Sequence, residues 1–387
     1  MRWPRIPPCM RLILGDMMMD VVELTRRLVS FDTVNPPGRE AEAMRACAKL
    51  LSGAGFTCRD IPMGDGRSNL LATRGLTDGK AALGFTGHLD TVPLGARDWR
   101  FPPHAATLSD GCIHGRGTTD MKGGVAAFIC ASLSAPPPPG GIALLITAGE
   151  ETGSDGARVM VDAGGLPTIG ALIVAEPTLN RAVPGHKGAL WLRLSAQGVT
   201  AHGSMPERGV NAVMCMAHAL AALDGIDLGA THPVMGAPTL NLGTIHGGLN
   251  TNSVPDFCEA TLDLRSVPGV SHADLRAMIS ARLGPDIEIE PLIDLPAVWT
   301  DPAHPWMAAI TAHSAAIAGA ETVPSAASYF TDASIFTPAL GEVATMILGP
   351  GDPGLAHQTD EYVSVDRLNE AQSIYTAAIS DWNGSHL

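Results

Sequence analysis

The sequence is short of basic charge, and that shortage removes nucleic-acid binding first. Its 25 lysines and arginines face 39 aspartates and glutamates, a formal net charge of −14 with a pI near 5.3. A nucleic-acid binder needs a basic face to neutralise phosphates, which this balance does not supply. Charged residues of both signs are scarce, at 17% against 45% hydrophobic, the proportions of a packed chain and not of a disordered one. Apolar runs are short as well, and none reaches the roughly 20 residues that span a bilayer. No CxxC pair occurs among Cys9, Cys47, Cys58, Cys112, Cys130, Cys215 and Cys258, and the odd total argues against a disulfide framework. Free thiols in a reducing cytoplasm are the expectation. The opening stretch MRWPRIPPCMRLILGDMMMD has no AxA-like cleavage site, so it does not read as a signal peptide. Met17, Met18 and Met19 offer a second translation start, with an unstructured tail before them. Beyond PPPP there is no internal repeat or low-complexity tract.

A chain of 387 residues is long for a single core, so two domains are expected. Helical patterns at Val21–Val29, Glu40–Ala54 and Lys122–Ser134 are interspersed with strand-like runs at Asn69–Thr73, Ala81–Thr86, Ile142–Thr147, Ala171–Ala175 and Ala344–Leu348. That interleaving predicts an α/β fold with a mixed, mostly parallel sheet and helices on both faces. From about Arg181 to Pro291 the pattern changes. ALWLRLSA, a helix over Gly209–Leu223, TLNLGTI, CEATLDLRS, a helix over Ser271–Leu283 and DIEIEPL follow the ferredoxin-like split βαβ order. The expected division is a catalytic domain in two parts, 20–180 and 293–387, with a second, α+β domain inserted at 181–292.

Five stretches carry metal-ligating side chains: TGHLDT with His88 and Asp90, TTDMKGG with Asp120, AGEETGS with Glu150 and Glu151, AEPT with Glu176, and AHQTDE with His357. Most of them follow predicted strands, and open α/β sheets bind ligands beyond the carboxyl ends of their strands. Two histidines and three carboxylates can hold two zinc ions if one carboxylate is shared, and Asp120 is the candidate bridge. One glutamate is then left over. Side chains of adjacent residues point apart, so Glu151 is assigned to a metal and Glu150, which must reach water without being locked as a ligand, to general base and acid. Asp90, two residues after His88 in an extended segment, can orient the imidazole. Taken singly, each piece has a simpler explanation: a surface histidine beside an aspartate, Asp120 as a helix N-cap, a solvated glutamate pair. GPGDPG at 349–354 matches GxGxxG formally, but Pro350 and Pro353 remove the amides a pyrophosphate would need, so it reads as a stiff turn before His357. His202 in VTAHGSMPERG could be an ordinary loop histidine. Arg265 could pair with a substrate carboxylate or with a structural acid, and Asn252 lies in the glycine-rich GGLNTNSVP.

Taken together, GHLDTVP, GRGTTDMKGG, AGEETGS, AEPT and GPGDPGLAHQTDE resemble the family of acetylornithine deacetylase, succinyl-diaminopimelate desuccinylase, aminoacylase and glutamate carboxypeptidase. The likeness runs from about Val22 to the C-terminus. It implies a zinc-exopeptidase-like catalytic domain and an inserted lid that also makes a homodimer. It further implies a dinuclear zinc site, with cobalt or manganese as possible replacements. By motif, His88 and Glu176 would hold one ion and Glu151 and His357 the other, with Asp120 bridging, Glu150 as catalytic base and Asp90 as the partner of His88. The peptide bond after the bridging aspartate tends to be cis in this family. VTAHGSMPERGVNAV resembles the lid motif whose histidine stabilises the oxyanion in the neighbouring subunit's site, which implies that role for His202. Asn252 and Arg265 match positions near a substrate carboxylate, and Thr331 with Asp332 in SYFTDAS match a loop lining the pocket. SYFTDAS departs from the SGGTSD of desuccinylases. The expected activity is cytoplasmic hydrolysis of an N-acyl amino acid, with a metallo-dipeptidase or carboxypeptidase as the nearest rival and a non-catalytic metal or peptide binder as the alternative of another class. A spare base such as Glu150 argues against the binder.

Overall fold

The computed structural model describes residues 20–384, so the readings of the opening stretch, with Met17–Met19 and Cys9, lie outside the described residues. The helix Val21–Val29 starts where Asp20 accepts a hydrogen bond from the Glu23 amide, and it buries Val21, Leu24, Leu28 and Val29. The helix Ala41–Gly53 buries a stripe of Ala43, Met44, Cys47 and Leu51. Both pack into the main core together with Gly123–Ser134 and Val365–Asp381.

A six-stranded sheet runs in the order Thr57–Gly64, Arg67–Arg74, Ile142–Thr147, Ala82–His88, Ile169–Val174, Ala344–Ile347. Its last four strands are mutually parallel, and the first two form an antiparallel hairpin at one edge. Ala82–His88, Ile142–Thr147 and Ile169–Val174 are buried at every position, as strands covered on both faces must be. Thr57–Gly64 is an edge strand in which Ile61 alone is buried, and Pro62 and Gly64 flank its register break. Apolar clusters line both sheet faces.

Between Ile169–Val174 and Ala344–Ile347 a second, antiparallel sheet forms, in the order Thr239–Gly247, Phe257–Ser266, Gly188–Gln197, Ile287–Leu295. With the helices Ala212–Ala221 and His272–Leu283 between its strands, this is the ferredoxin-like arrangement. Its core is separate, built on Leu190, Leu192, Leu194, Leu262, Leu264, Leu275 and Ile279. Thr239–Gly247 is the outer strand and is exposed at nearly every position. The chain enters and leaves this unit through a short ladder, Gly185–His186 against Val298–Trp299. No helix among the described residues is long and apolar enough to cross a membrane.

Candidate metal centre

Parallel pairing brings the carboxyl ends of the central strands into line, and that alignment assembles the site. His88 is the last residue of its strand and pairs in register with Thr147, after which Ala148 and Gly149 lead to Glu150 and Glu151. Glu176 lies two residues beyond Val174 on the next strand. Gly124 and Gly349 press against this segment so closely that a Cβ on either would stand 2.2 Å from the Ala175 carbonyl oxygen. Asp120 sits at the entry to the helix Gly123–Ser134, and its bond to Met121 is cis. His357 comes from the long connection after Ala344–Ile347, a loop tied to the Glu176 segment by hydrogen bonds from the Leu179 amide to Gly351 and from the Asn180 amide to Gly349.

Asp120 stands between the two histidines. Its Oδ1 is 3.2 Å from His88 Nε2 and its Oδ2 is 3.4 Å from His357 Nε2. On the first side Glu176 Oε1 and Glu150 Oε2 approach His88 Nε2 at 3.7 and 3.8 Å. On the second side Glu151 Oε2 lies 3.1 Å from His357 Nε2. Two overlapping trios, His88 with Glu150 and Glu176 and His88 with Asp120 and Glu151, offer ligand atoms within 4.8 Å of one another. His357 belongs to neither trio, but its two short approaches join it to Asp120 and Glu151. His88 Nε2 and Glu151 Oε1 are buried without a hydrogen-bond partner, although buried polar atoms are ordinarily satisfied.

The opposite nitrogen of His88 is occupied. Its Nδ1 lies 2.9 Å from the Asp90 carbonyl oxygen and 3.5 Å from Asp90 Oδ1, so the Nδ1 proton is donated there and Nε2 is the nitrogen turned toward the carboxylates. The Asp90 carboxylate also accepts the amides of Glu150 and Glu151, each at 3.2 Å, and the Asn35 side-chain amide at 3.0 Å. Asp90 therefore pins the loop carrying both glutamates.

So many acids in one dry place alter their ionisation. Burial, with help from neighbouring carboxylates, raises the carboxyls of Glu150 and Glu176 well above the usual range, and burial lifts Glu151 to about 6. Burial also pushes Asp120 upward, but the two imidazoles outweigh it and hold its carboxyl low. For His88 burial opposes the charge, yet Asp120, Glu176 and Glu150 raise the imidazole well above its ordinary value. Asp120 and Glu151 lift His357 to about 10. The cluster is short of positive charge, and divalent cations would favour the ionised acids.

Residues 84–381 match the model of peptidase family M20/M25/M40. The chain belongs to this family. It is 31% identical to succinyl-diaminopimelate desuccinylase of Cereibacter sphaeroides over 387 residues, covering 95% of this chain and 100% of that protein. It is 31% identical over 383 residues to acetylornithine deacetylase of Vibrio atlanticus, covering 92% and 97%. An M20 family metallo-carboxypeptidase from Sulfolobus solfataricus shares the fold with a TM-score of 0.78 at 17% identity, covering 94% of this chain and 99% of that one. The chain is thus a metal-dependent hydrolase of amide bonds, with the fold of M20 peptidases.

The remaining candidate residues fall into two groups. In the inserted domain, His202 forms a bridge with Ser253, and the Gly203 amide donates to the Asn252 carbonyl at 2.7 Å, so His202 and Asn252 share one exposed edge. The Ser204 amide donates to His202 Nδ1 at 3.1 Å, which leaves Nε2 as the N–H of the neutral ring. Arg265 grips Asp263 through two nitrogens, at 2.8 and 3.1 Å, and lies 5.9 Å from the Trp191 ring centre. In the catalytic part, Thr331 is fully buried and its hydroxyl accepts from the Ala333 amide at 3.1 Å. Asp332 accepts from Thr147, keeps Oδ1 unpartnered and is lifted to about 6 by burial. Sequence reasoning did not single out Arg116 or Glu361, although GRGTTD and AHQTDE contain them. Nor did it single out Lys122, buried beneath the site with its ammonium 2.9 Å from the Phe31 carbonyl.

Proposed function

We propose that this chain hydrolyses the amide bond of an N-acyl amino acid, using two zinc ions held across Asp120. The observation that carries this reading is the division of the Asp120 carboxylate between two imidazoles, at 3.2 and 3.4 Å. Two ligands of one tetrahedral zinc ion stand about 3.3 Å apart, given bonds of about 2.0 Å. His88–Glu176 at 3.7 Å and His357–Glu151 at 3.1 Å complete two such sets, one ion per histidine. The unpartnered His88 Nε2 and Glu151 Oε1 fit the same assignment. Cobalt or manganese would suit these donors too. When bound, the ions supply Lewis acidity for an amide carbonyl and lower the pKa of an attacking water.

The chain's own groups do the rest. Glu150, raised in pKa and not needed as a ligand in this assignment, takes the proton of the water and hands it to the leaving amine. Asp90 holds the His88 tautomer and the glutamate loop. His202 presents Nε2–H to the oxyanion of the tetrahedral intermediate, and Arg265 with Asn252 receives the substrate carboxylate. Thr331 and Asp332 shape the pocket wall.

We assign 20–180 and 293–387 to the catalytic domain and 181–292 to a lid that carries a homodimer interface. The outer strand Thr239–Gly247 supports this: its free edge and the exposed Leu242, Ile245 and Leu249 are what a second copy would cover. Cys47, Cys58, Cys112, Cys215 and Cys258 are free thiols, which favours a cytoplasmic setting. Turnover on acetylornithine, succinyl-diaminopimelate, other N-acyl amino acids and dipeptides tests the reading. Preference for an acyl amino acid supports it, and preference for dipeptides replaces it with a peptidase.

A further inference from the structure

The two halves of the centre are not held alike. His88 and Glu176 sit at the ends of core strands, each buried on all sides. His357 has a side chain 53% exposed, lies in a loop and has a left-handed backbone with φ of 63°. Something other than the sheet must fix it opposite Asp120.

One tie that reaches both the Asp120 loop and the His357 loop is a buried ion pair. Glu361 is fully buried and spends both oxygens on the Asp120 loop: Oε1 accepts the amides of Thr119 and Asp120 at 2.8 and 3.1 Å, and Oε2 accepts the Gly117 amide at 2.9 Å. Oε2 also takes Arg116 Nη1 at 2.7 Å. The Arg116 guanidinium then reaches the other loop, donating to the carbonyls of Gln358 at 3.2 Å and His357 at 3.5 Å, with a third bond to Pro93 at 3.1 Å. Trp99 lies against it, its ring centre 5.1 Å away. The Gly115 amide donates to the Glu361 carbonyl at 2.9 Å and closes the unit.

We propose that Arg116 and Glu361 are positioning residues that hold the Asp120 loop and the His357 loop at the spacing the second ion requires. This rests on the two-ion reading above. Its specific content is asymmetry: loss of the pair loosens the His357–Glu151 side and spares the His88–Glu176 side. A general loss of stability would weaken both.

The test uses the full chain, stripped by chelator and titrated calorimetrically with Zn²⁺, as wild type, Glu361→Gln and Arg116→Lys, with circular dichroism to check folding. The glutamine keeps the shape but sets an NH₂ against a donor, and the lysine keeps the charge but loses the fork. The expected result is one tight ion retained and the other weakened about 10–100-fold. Two unchanged affinities in a folded variant, or two affinities falling together, overturn the proposal. Should the glutamine variant not fold, the lysine variant decides. Amide hydrogen exchange reads the strut without metal: protection at both 117–120 and 357–358 should fall in either variant, and unchanged protection overturns it. A wild-type chain that takes up one ion, with exchange behaving as expected, overturns the two-ion reading and leaves the strut standing.

Discussion

The metal centre in the core and the candidate residues of the proposed lid are built on different principles. In the core, His88 is 1% exposed, and the Asp90 carboxylate and carbonyl beside it fix both its tautomer and the glutamate loop. In the lid, His202 and Asn252 are exposed, and their fixed contacts are local: Ser204 on the His202 ring, Gly203 on the Asn252 carbonyl. Arg265 spends its fork on Asp263, two residues away. Core residues are set in place by the fold before any substrate arrives. Residues of the inserted domain are oriented but not enclosed, so in the proposed reaction that domain, or a second copy, would have to bring them to the substrate.

If that contrast is right, core and lid variants should fail in separable ways. Glu150→Gln should give the largest effect, a fall in kcat of about 10³ with metal content unchanged, checked by steady-state kinetics and elemental analysis. Unaltered turnover would remove the base assignment. His202→Ala should lower kcat by about 10² and leave metal content and affinity intact. Loss of metal in that variant would erase the distinction between the halves. Arg265→Lys keeps the charge but gives up the fork, so KM for a substrate with a free carboxylate should rise about tenfold, with kcat little changed. An equal rise for the amidated substrate would mean that Arg265 serves Asp263 alone.

A separate effect, on stability and not on turnover, concerns the ladder joining the halves. Burial pushes the His186 imidazole down from 6.5 to about 4, and its Nε2 is buried without a partner. The unfolded chain therefore takes up a proton between these values that the folded chain resists. Stability from this residue is full above pH 6.5 and declines as pH falls toward 4, by on the order of 3 kcal/mol. In His186→Gln, urea melts across that window should show a flatter decline than wild type. A slope identical to wild type would mean that His186 takes its proton in the folded chain as readily as in the unfolded one.

The site was legible in the sequence where chemistry follows a strand within a few residues. GFTGH, ALLITAGEE and ALIVAEP each announce a buried strand and then a ligand-bearing side chain, and parallel pairing does the rest. The lid's strand order was readable for a similar reason, since its alternation of apolar and polar residues matches one covered face. Long-range polar contacts were not legible. Arg116 and Glu361 lie 245 positions apart, and no local period marks their pairing. Thr57–Gly64 escaped for the opposite reason: an edge strand burying one residue has almost no pattern to read. For Thr331 the resemblance implied a loop lining the pocket, and its hydroxyl accepts the Ala333 amide at the turn into Ala333–Ala339, a contact no sequence pattern announces.

Anomalous diffraction from a zinc-loaded crystal tests the central claim most directly. The account predicts two peaks flanking Asp120, one beside Oδ1 with His88 and Glu176 and one beside Oδ2 with His357 and Glu151. A single peak, or a pair that leaves Asp120 outside both coordination shells, would contradict it.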